Sequence, residues 1–308
     1  MKKRLCLAYI IGADTPDKNL DEKLKQIDFK KLTHICIAFS LIHESNGEWL
    51  PYVMDEVAGG IHKIKSEIER QGAATKVLLS VGGAGADGFC MAASTAQSRK
   101  RFTRELMDII NSYDLDGVDI DWEFPGESAF GIHSCDHCKS DFVLLLEELK
   151  CALNKRILTI AVGSNRYFGL DVKKIGEIVD YVFVMTYDLG LMQSNIFLSK
   201  TFVTMWRWLG IPKNKVCIGV PLYGRNVKKL SKDVAFCDVA HGKITHYLGQ
   251  SFSKYHGKTY CFDTEKDVER KARWANQNSL GGVFCWEISC DDHNRILNAM
   301  SRGINGSI

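Results

Sequence analysis

Three acidic residues alternate with apolar ones in residues 113–126, which read YDLDGVDIDWEFPG. Successive side chains of a strand point to opposite faces, so Asp119, Asp121 and Glu123 share one face of such a strand. Like charges packed this closely hold one carboxyl protonated at neutral pH, which is the state that a general acid requires. Isolated surface carboxylates are common, but solvation does not explain an acidic run inside an apolar strand. The segment therefore predicts acid–base catalysis.

Eight short apolar runs are candidate strands that would position these carboxyls. They are rich in Val, Ile, Leu or Phe, and most are nearly continuous in hydrophobicity, as expected of strands covered on both faces. The runs are residues 5–11, 34–40, 76–81, 117–121, 157–162, 181–186, 216–220 and 282–286. Amphipathic helical patterns lie between them at residues 56–71, 102–110, 142–153, 202–209, 264–276 and 293–300.

Strands that alternate with helices predict a parallel sheet joined by right-handed crossovers. Eight such units favour a closed (β/α)₈ TIM barrel in one catalytic domain over residues 1–308. A doubly wound sheet fits less well, because no Gly-rich phosphate loop follows the first strand. Residues 226–263 lie between the seventh and eighth strands and predict a small hairpin excursion, too short for a separate domain.

Charge and hydropathy exclude several classes of function. The 308 residues include 40 Lys and Arg and 37 Asp and Glu, which gives a net charge of +3. Because basic and acidic residues are interspersed along the chain, no nucleic-acid partner is indicated. No apolar run approaches the roughly 20 residues of a membrane span. The first residues of the sequence, Lys2-Lys3-Arg4 followed by LCLAYII, are similar to the charged and apolar regions of a signal peptide. The apolar run is short, however, and no small-residue cleavage site follows it. We interpret it as the first strand and expect a monomer.

The 11 cysteines do not resemble a disulfide framework, because their number is odd and most of them, such as Cys6, Cys36, Cys217 and Cys285, lie in apolar runs. This usage favours a reducing, intracellular compartment, or secretion if a leader has been removed. Residues 133–138, HSCDHC, contain one CxxC with nearby histidines that could bind zinc. No second ligand pair stands at a suitable spacing, so incidental thiols, with no metal and no cofactor, are the favoured interpretation.

The acidic segment resembles a known signature. DGVDIDWE is similar to the DxxDxDxE motif of glycoside hydrolase family 18, the chitinase family. Other pieces agree in order: LLSVGG (78–83) resembles the third-strand SxGG, VMTYD (184–188) the sixth-strand motif, GVPLYGR (219–225) the seventh, and GGVFCWEIS (281–289) the eighth with its tryptophan. The resemblance spans nearly the whole chain.

The resemblance implies retaining hydrolysis without an enzyme nucleophile, since this family is among the substrate-assisted exceptions to the two-carboxylate scheme. Glu123 would protonate the glycosidic oxygen and then activate water, while the acetamide oxygen of the substrate attacks the anomeric carbon and forms an oxazolinium ion. Asp121 would orient the acetamide through its N–H, Asp119 would tune Asp121, and Tyr187 would donate to the acetamide oxygen.

The resemblance also assigns substrate-binding residues. Trp286 would stack under the reacting sugar, and the other lining residues would be Tyr9, Phe39, Asp188, Tyr223 and Arg225. The PLYGR turn that holds Tyr223 and Arg225 could equally be architectural. Non-proline cis peptides are implied after Ala38, Glu123 and Trp286. Phe124 stands where the family commonly has tyrosine, and the larger inserted α+β module of many family chitinases is not expected, which favours a shallow cleft.

The sequence is consistent with three candidate functions. An endo-acting chitinase, which cleaves β-1,4 links of chitin or N-acetylglucosamine oligosaccharides, is the favoured one, with cell-wall or spore-coat hydrolysis as a variant. An endo-β-N-acetylglucosaminidase acting on N-glycans shares the signature. A chitin-binding lectin on the same barrel is the non-enzymatic alternative, but such relatives typically lack the acid that Glu123 supplies here.

Overall fold

The computed structural model describes residues 4–15, 19–128, 131–230 and 233–306. The strands are β1 (Leu5–Ile11), β2 (His34–Ser45), β3 (Glu48–Tyr52), β4 (Lys76–Gly82), β5 (Gly117–Asp121), β6 (Ile157–Gly163), β7 (Tyr181–Met185), β8 (Val216–Pro221), β9 (Tyr223–Asn226), β10 (Asp233–Ala235), β11 (Thr245–Tyr247), β12 (Gln250–Tyr255), β13 (Lys258–Phe262) and β14 (Gly282–Trp286). The α-helices are α1 (Leu20–Gln26), α2 (Asp55–Arg70), α3 (Phe89–Ala93), α4 (Ala96–Ser112), α5 (Cys138–Leu153), α6 (Val172–Ile178), α7 (Ile196–Trp208), α8 (Phe236–Val239), α9 (Glu265–Gln277) and α10 (Arg295–Asn305). Within the described ranges, no helix combines the length and the apolar character needed to cross a bilayer.

Eight parallel strands close into a barrel. They run around it in the order β1, β2, β4, β5, β6, β7, β8 and β14, and β1 completes the circle because it pairs with both β2 and β14. Helices connect successive strands on the outside, and the predicted (β/α)₈ TIM barrel is confirmed. Each predicted strand coincides with one of these eight, and three of them have identical bounds (β1, β5 and β14).

Alternation along the strands divides the core into two layers. On β1, Cys6, Ala8 and Ile10 belong to the large apolar layer between barrel and helices. Leu5, Leu7 and Tyr9 face inward and join a smaller cluster inside the barrel with Phe183 and Phe284, among others. On β5 the apolar Val118 and Ile120 likewise face the helices, so Asp119 and Asp121 must face the interior.

The second barrel strand is longer than its apolar run predicts. β2 continues to Ser45 and forms a hairpin with β3, in which Ser45 lies opposite Glu48. The two turn residues, Asn46 and Gly47, both have positive φ, 53° and 81°. Asn-Gly is the pair preferred for such a two-residue turn, so this hairpin carried a sequence signal.

The excursion after β8 is larger than the predicted single hairpin. β9 to β13 form a five-stranded antiparallel sheet in the order β10, β9, β13, β12, β11, with the short α8 beside it. A fully buried ion pair between Lys271 of α9 and Asp263 fixes its end, and Lys271 also donates to Ser194 before α7. The sheet is therefore tied to two barrel helices at one edge of the barrel mouth.

Candidate active site

The acidic face of β5 begins with Asp119, which is fully buried. Its Oδ2 accepts hydrogen bonds from the Tyr9 hydroxyl at 2.8 Å and from Ser80 Oγ at 2.9 Å, and its Oδ1 accepts one from Thr159 Oγ1 at 2.6 Å. The sheet register explains two of these bonds, because Asp119 lies level with Ser80 on β4 and with Thr159 on β6. Burial raises the pKa of Asp119, and the three donors partly offset that effect.

Asp121 lies one step nearer the barrel mouth and is also buried. Its Oδ1 has no hydrogen-bond partner among the described residues. Burial raises the pKa of Asp121 well above its usual range, and the negative charges of Glu123 and Asp119 raise it further. A buried acceptor without a partner is costly, so this oxygen is suited to receive a donor from a ligand.

Glu123 follows β5 and is half-buried at the mouth. Burial, assisted by the charge of Asp188, raises its pKa to about 7. At neutral pH a substantial fraction of Glu123 is therefore protonated and able to donate a proton, which is how a general acid is tuned. Val118, Ile120 and Trp122 pack outward as the alternation predicts.

Two glycines of the third-strand motif allow β4 to approach this site closely. Gly82 and Gly83 have φ values of 110° and 94°, which favour glycine. A Cβ on Gly82 would lie 2.3 Å from the carbonyl oxygen of Asp121, and one on Gly83 would lie 2.6 Å from the Phe39 ring. Side chains at these positions would therefore push against the acidic strand and the aromatic wall.

Aromatic side chains surround the acidic groups. The Trp286 indole at the end of β14 stacks on Phe39 with centroids 5.4 Å apart, and Tyr9 meets it edge-on at 5.7 Å. Burial raises the pKa of Tyr187, and the charges of Asp121 and Glu123 raise it further, so its hydroxyl stays protonated and can donate. An indole face beside a proton donor suits a sugar ring, which presents C–H bonds and hydroxyls together.

Asp121, Glu123 and the aromatic side chains line one cavity of about 290 Å³ at the C-terminal ends of the barrel strands. Its lining comprises Tyr9, Phe39, Ala84, Asp121, Glu123, Ala161, Met185, Tyr187, Asp188, Tyr223 and Trp286. A hollow of about 690 Å³ adjoins it, shares Asp188, Tyr223 and Trp286, and reaches the excursion at Asp233. A larger hollow of about 1080 Å³ lies at the opposite end of the barrel, around Lys76 and Asp116, away from the acidic face.

The seventh-strand motif contributes one lining residue and one supporting residue. The Tyr223 hydroxyl donates to Asp188 Oδ1 at 2.6 Å. Arg225 makes ion pairs with Asp188 at 2.8 Å and, through two nitrogens, with Asp233 at 3.0 Å. Arg225 does not belong to the lining of the cavity, so its contacts favour the architectural alternative for this residue.

The three expected non-proline cis peptides are present after Ala38, Glu123 and Trp286. Phe124, which stands where tyrosine was expected, packs under the Arg166 guanidinium at 5.3 Å from its ring centroid. Asp116, the first acidic residue of the DxxDxDxE motif, makes a structural contact: its Oδ2 accepts the Val77 backbone N–H at 2.8 Å.

Some residues that contribute to the site were not among those predicted from the sequence. Thr159 donates to Asp119, and Ala161 and Met185 line the cavity. Thr159 and Ala161 carried a detectable signal, because a polar and a small residue occupy alternate positions of the apolar strand ILTIAVG. That alternation points them inward, as it does the acidic residues of β5.

A (β/α)₈ barrel with a tuned acid between aromatic walls at its C-terminal mouth has the architecture of a glycoside hydrolase. The model of the family described as Glycosyl hydrolases family 18 matches residues 9–291, and the chain belongs to that family. It is therefore a chitinase-like hydrolase domain.

Comparison with individual proteins supports the same placement. The chain is 25% identical to an endochitinase of Brugia malayi over 89% of this chain and 67% of that protein. It superimposes with a TM-score of 0.80 and 26% identity on a family 18 N-acetylglucosaminidase from Paenibacillus barengoltzii, covering 98% of this chain and 100% of the other. A class V chitinase variant from Nicotiana tobaccum in complex with NAG4 shares the fold, with a TM-score of 0.83, 17% identity and coverages of 99% and 100%.

Proposed function

We propose that this protein is an endo-acting chitinase that cleaves β-1,4 links between N-acetylglucosamine units with retention of configuration. The observation that carries the proposal is the pair formed by Glu123, whose pKa is raised to about 7, and Asp121, whose buried Oδ1 has no hydrogen-bond partner in the described part of the chain. The first group supplies a proton, and the second supplies an acceptor for an amide N–H. An N-acetylated sugar presents both complementary groups.

The reaction proceeds in two steps. Glu123 donates its proton to the glycosidic oxygen, the bond to the anomeric carbon breaks, and the acetamide carbonyl oxygen of the same sugar attacks that carbon. Asp121 Oδ1 accepts the acetamide N–H, and the Tyr187 hydroxyl donates to the acetamide oxygen, which holds the amide in line for attack. Glu123, now ionised, takes a proton from water, and the hydroxide opens the oxazolinium ion at the same face from which the leaving group departed.

The contacts of Asp119 argue against this residue as the nucleophile. Three hydrogen bonds occupy its oxygens, and the residue is fully buried beneath Asp121. A carboxylate held in this way is a positioning group that keeps Asp121 in place. Because Asp121 is assigned to the acetamide N–H, the nucleophile in this proposal is the acetamide oxygen of the substrate, as the mechanism implied by the family resemblance requires.

The endo mode and the substrate are inferred from the space around the acid. The hollow that adjoins the cavity beyond Asp188, Tyr223 and Trp286 offers room for further sugar units of a chain. The relatives include an endochitinase and an N-acetylglucosaminidase, so endo cleavage and release of single terminal sugars are the two modes to separate.

A product profile on defined N-acetylglucosamine oligomers, labelled at the reducing end, tests the proposal. Internal cleavage of a hexamer into shorter oligomers is expected, with little cleavage of a fully deacetylated hexamer, because the latter lacks the nucleophilic acetamide. Accumulation of the monomer alone would replace the endo mode by an exo mode. Faster cleavage of high-mannose glycopeptides than of chitin oligomers would favour the N-glycan alternative, and binding without products would favour the lectin.

A further inference from the structure

Three cysteines from two separate segments meet beside the barrel mouth. Cys90 belongs to α3, Cys135 precedes α5, and Cys138 is the first residue of α5. Their sulfur atoms all lie within 4.8 Å of one another, and those of Cys135 and Cys138 are 3.2 Å apart. The CxxC that lacked further ligands in the sequence therefore gains a third thiol from a distant segment.

The spacing of the three sulfur atoms is close to that of a thiolate metal site. Tetrahedral zinc bound at about 2.3 Å from each sulfur places the sulfurs about 3.8 Å apart. The distance between Cys135 and Cys138 needs to open by about 0.6 Å to reach that value. The Cys135 backbone N–H already donates to the Cys138 sulfur at 3.2 Å, a contact that stabilises a metal-bound thiolate.

The cluster lies where two loops of the active site can be joined. One segment leaves β4 and carries Ala84 of the cavity and then Cys90, and the other leaves β5 and carries Glu123 and then Cys135. Asp87 and His133 pair across the same two segments, and the His133 backbone N–H donates to Asp87 Oδ1 at 2.9 Å. A metal at the cysteines would add a second, stronger link to this contact.

The exposure of the three cysteines indicates the side from which a metal ion would enter the cluster, and their number indicates how many ligands it would still need. Cys90 and Cys138 are buried, whereas Cys135 is half-exposed and opens the cluster to solvent. Within the described residues this group contains three ligand atoms, so a water molecule or small exogenous ligand takes the fourth position. One disulfide would use two of the thiols and leave the third, whereas one metal ion uses all three.

We propose that Cys90, Cys135 and Cys138 bind one Zn²⁺ ion, which fastens the segment after β5 to the segment after β4 at the rim of the active site. Binding converts the three thiols into thiolates and releases their protons to solvent. The ion is structural, because the cysteines lie outside the lining of the catalytic cavity. The proposal is independent of the substrate that the cavity accepts.

Measurement of the metal content of the whole protein tests whether the three cysteines bind zinc. Protein purified with its thiols reduced, loaded with Zn²⁺ and dialysed should retain one zinc per chain, and Co²⁺ loading should give a thiolate-to-cobalt charge-transfer absorption. Cys135→Ser should lose both signals, and so should Cys90→Ala. Cys151→Ser, at an exposed cysteine outside the cluster, is the matched control and should keep them. Should Cys90→Ala fail to fold, the half-exposed Cys135 position decides the result.

Thermal unfolding gives a second readout. Zinc in about 100-fold excess over its Kd should raise the Tm of the reduced wild type by about 5 °C and leave that of Cys135→Ser unchanged. The proposal is overturned if the reduced wild type retains neither zinc nor cobalt, or if Cys135→Ser retains as much as the wild type. Failure here would leave the product profile on chitin oligomers unaffected, so the two proposals are tested separately.

Discussion

At the scale of single residues, the site depends on how far burial shifts carboxyl groups from their solution behaviour. Glu123 and Asp121 both have raised pKa values, but for Glu123 the second cause is Asp188, whereas for Asp121 it is Glu123 itself. The spacing of these acids predicted that one carboxyl is held protonated. The sequence could not show which charge raises the pKa of which carboxyl, because Asp188 follows a different strand, β7, and only the fold brings it near Glu123.

Replacement of Glu123 by Gln should lower kcat on chitin oligomers by at least about 100-fold, since a general acid contributes about 10²–10⁴-fold. The amide keeps the shape and the hydrogen-bonding capacity of the side chain, so the Kd for the oligomer should change little. Hydrolysis assays combined with calorimetric titration check both parts. Turnover close to that of the wild type would remove Glu123 from its assigned role.

The pH dependence of kcat/KM should show an alkaline limb near pH 7, because Glu123 must be protonated in the free enzyme and its pKa is raised to about 7. Asp188→Asn removes the charge that contributes to this raised pKa, so the limb should move to lower pH. Rate profiles of both proteins on a labelled oligomer measure the shift. A limb that stays in place in the variant would mean that burial alone sets the pKa.

At the scale of elements, neighbouring strands supply the partners of the acidic strand. Apolar runs were sufficient to predict the eight barrel strands, because a strand covered on both faces is apolar throughout. The excursion was harder to predict, because two of its strands, β10 and β11, have three residues each and lie at the surface. The sequence also could not group Cys90 with the CxxC at Cys135 and Cys138, because only the folded barrel brings the two segments together.

Thr159 on β6 provides a test of this support. Thr159→Val keeps the shape of the side chain but leaves Asp119 Oδ1 without its donor, which should cost about 1–3 kcal/mol of unfolding free energy. The pKa of Asp119 should also rise, because one of the bonds that lower it is lost. Thr159→Ser retains the hydroxyl and is the matched control. Denaturant unfolding of the three proteins measures the difference, and equal stability of Val and Ser variants would contradict it.

Arg225 on β9 should affect substrate binding more than catalysis. Its ion pairs join Asp188 at the cavity to Asp233 of β10. Arg225→Gln should therefore raise KM by about fivefold, equivalent to about 1 kcal/mol, and change kcat little. Lys228→Gln, at an exposed position of the same connection, serves as the control. A fall in kcat with an unchanged KM would instead place Arg225 in the chemical step.

At the scale of the whole molecule, the acidic face is a source of instability that the barrel tolerates. Acids whose pKa is raised in the folded protein bind protons more tightly there than in the unfolded chain. Folding stability therefore falls as pH rises from the unfolded pKa to the folded one. For Glu123 this interval runs from about 4.3 to about 7.

The Tm difference between Glu123→Gln and wild type should consequently depend on pH. Near pH 4 both side chains are neutral and the two proteins should unfold at similar temperatures. By pH 8 the variant should be more stable by about 2–4 °C, because it lacks the ionised carboxylate at position 123. Calorimetric scans across this range measure the difference. A variant that is less stable than the wild type at pH 8 would show that the ionised Glu123 does not lower the folding stability.

Closure of the barrel by β14 affects how the protein is made. β14 lies between β8 and β1 and pairs with both, so the second edge of β1 can be paired only after residues 282–286 have been synthesised. A nascent chain on the ribosome thus holds two open sheet edges until synthesis has passed this point. Such edges promote association between incomplete chains, and refolding yield should decline as protein concentration rises.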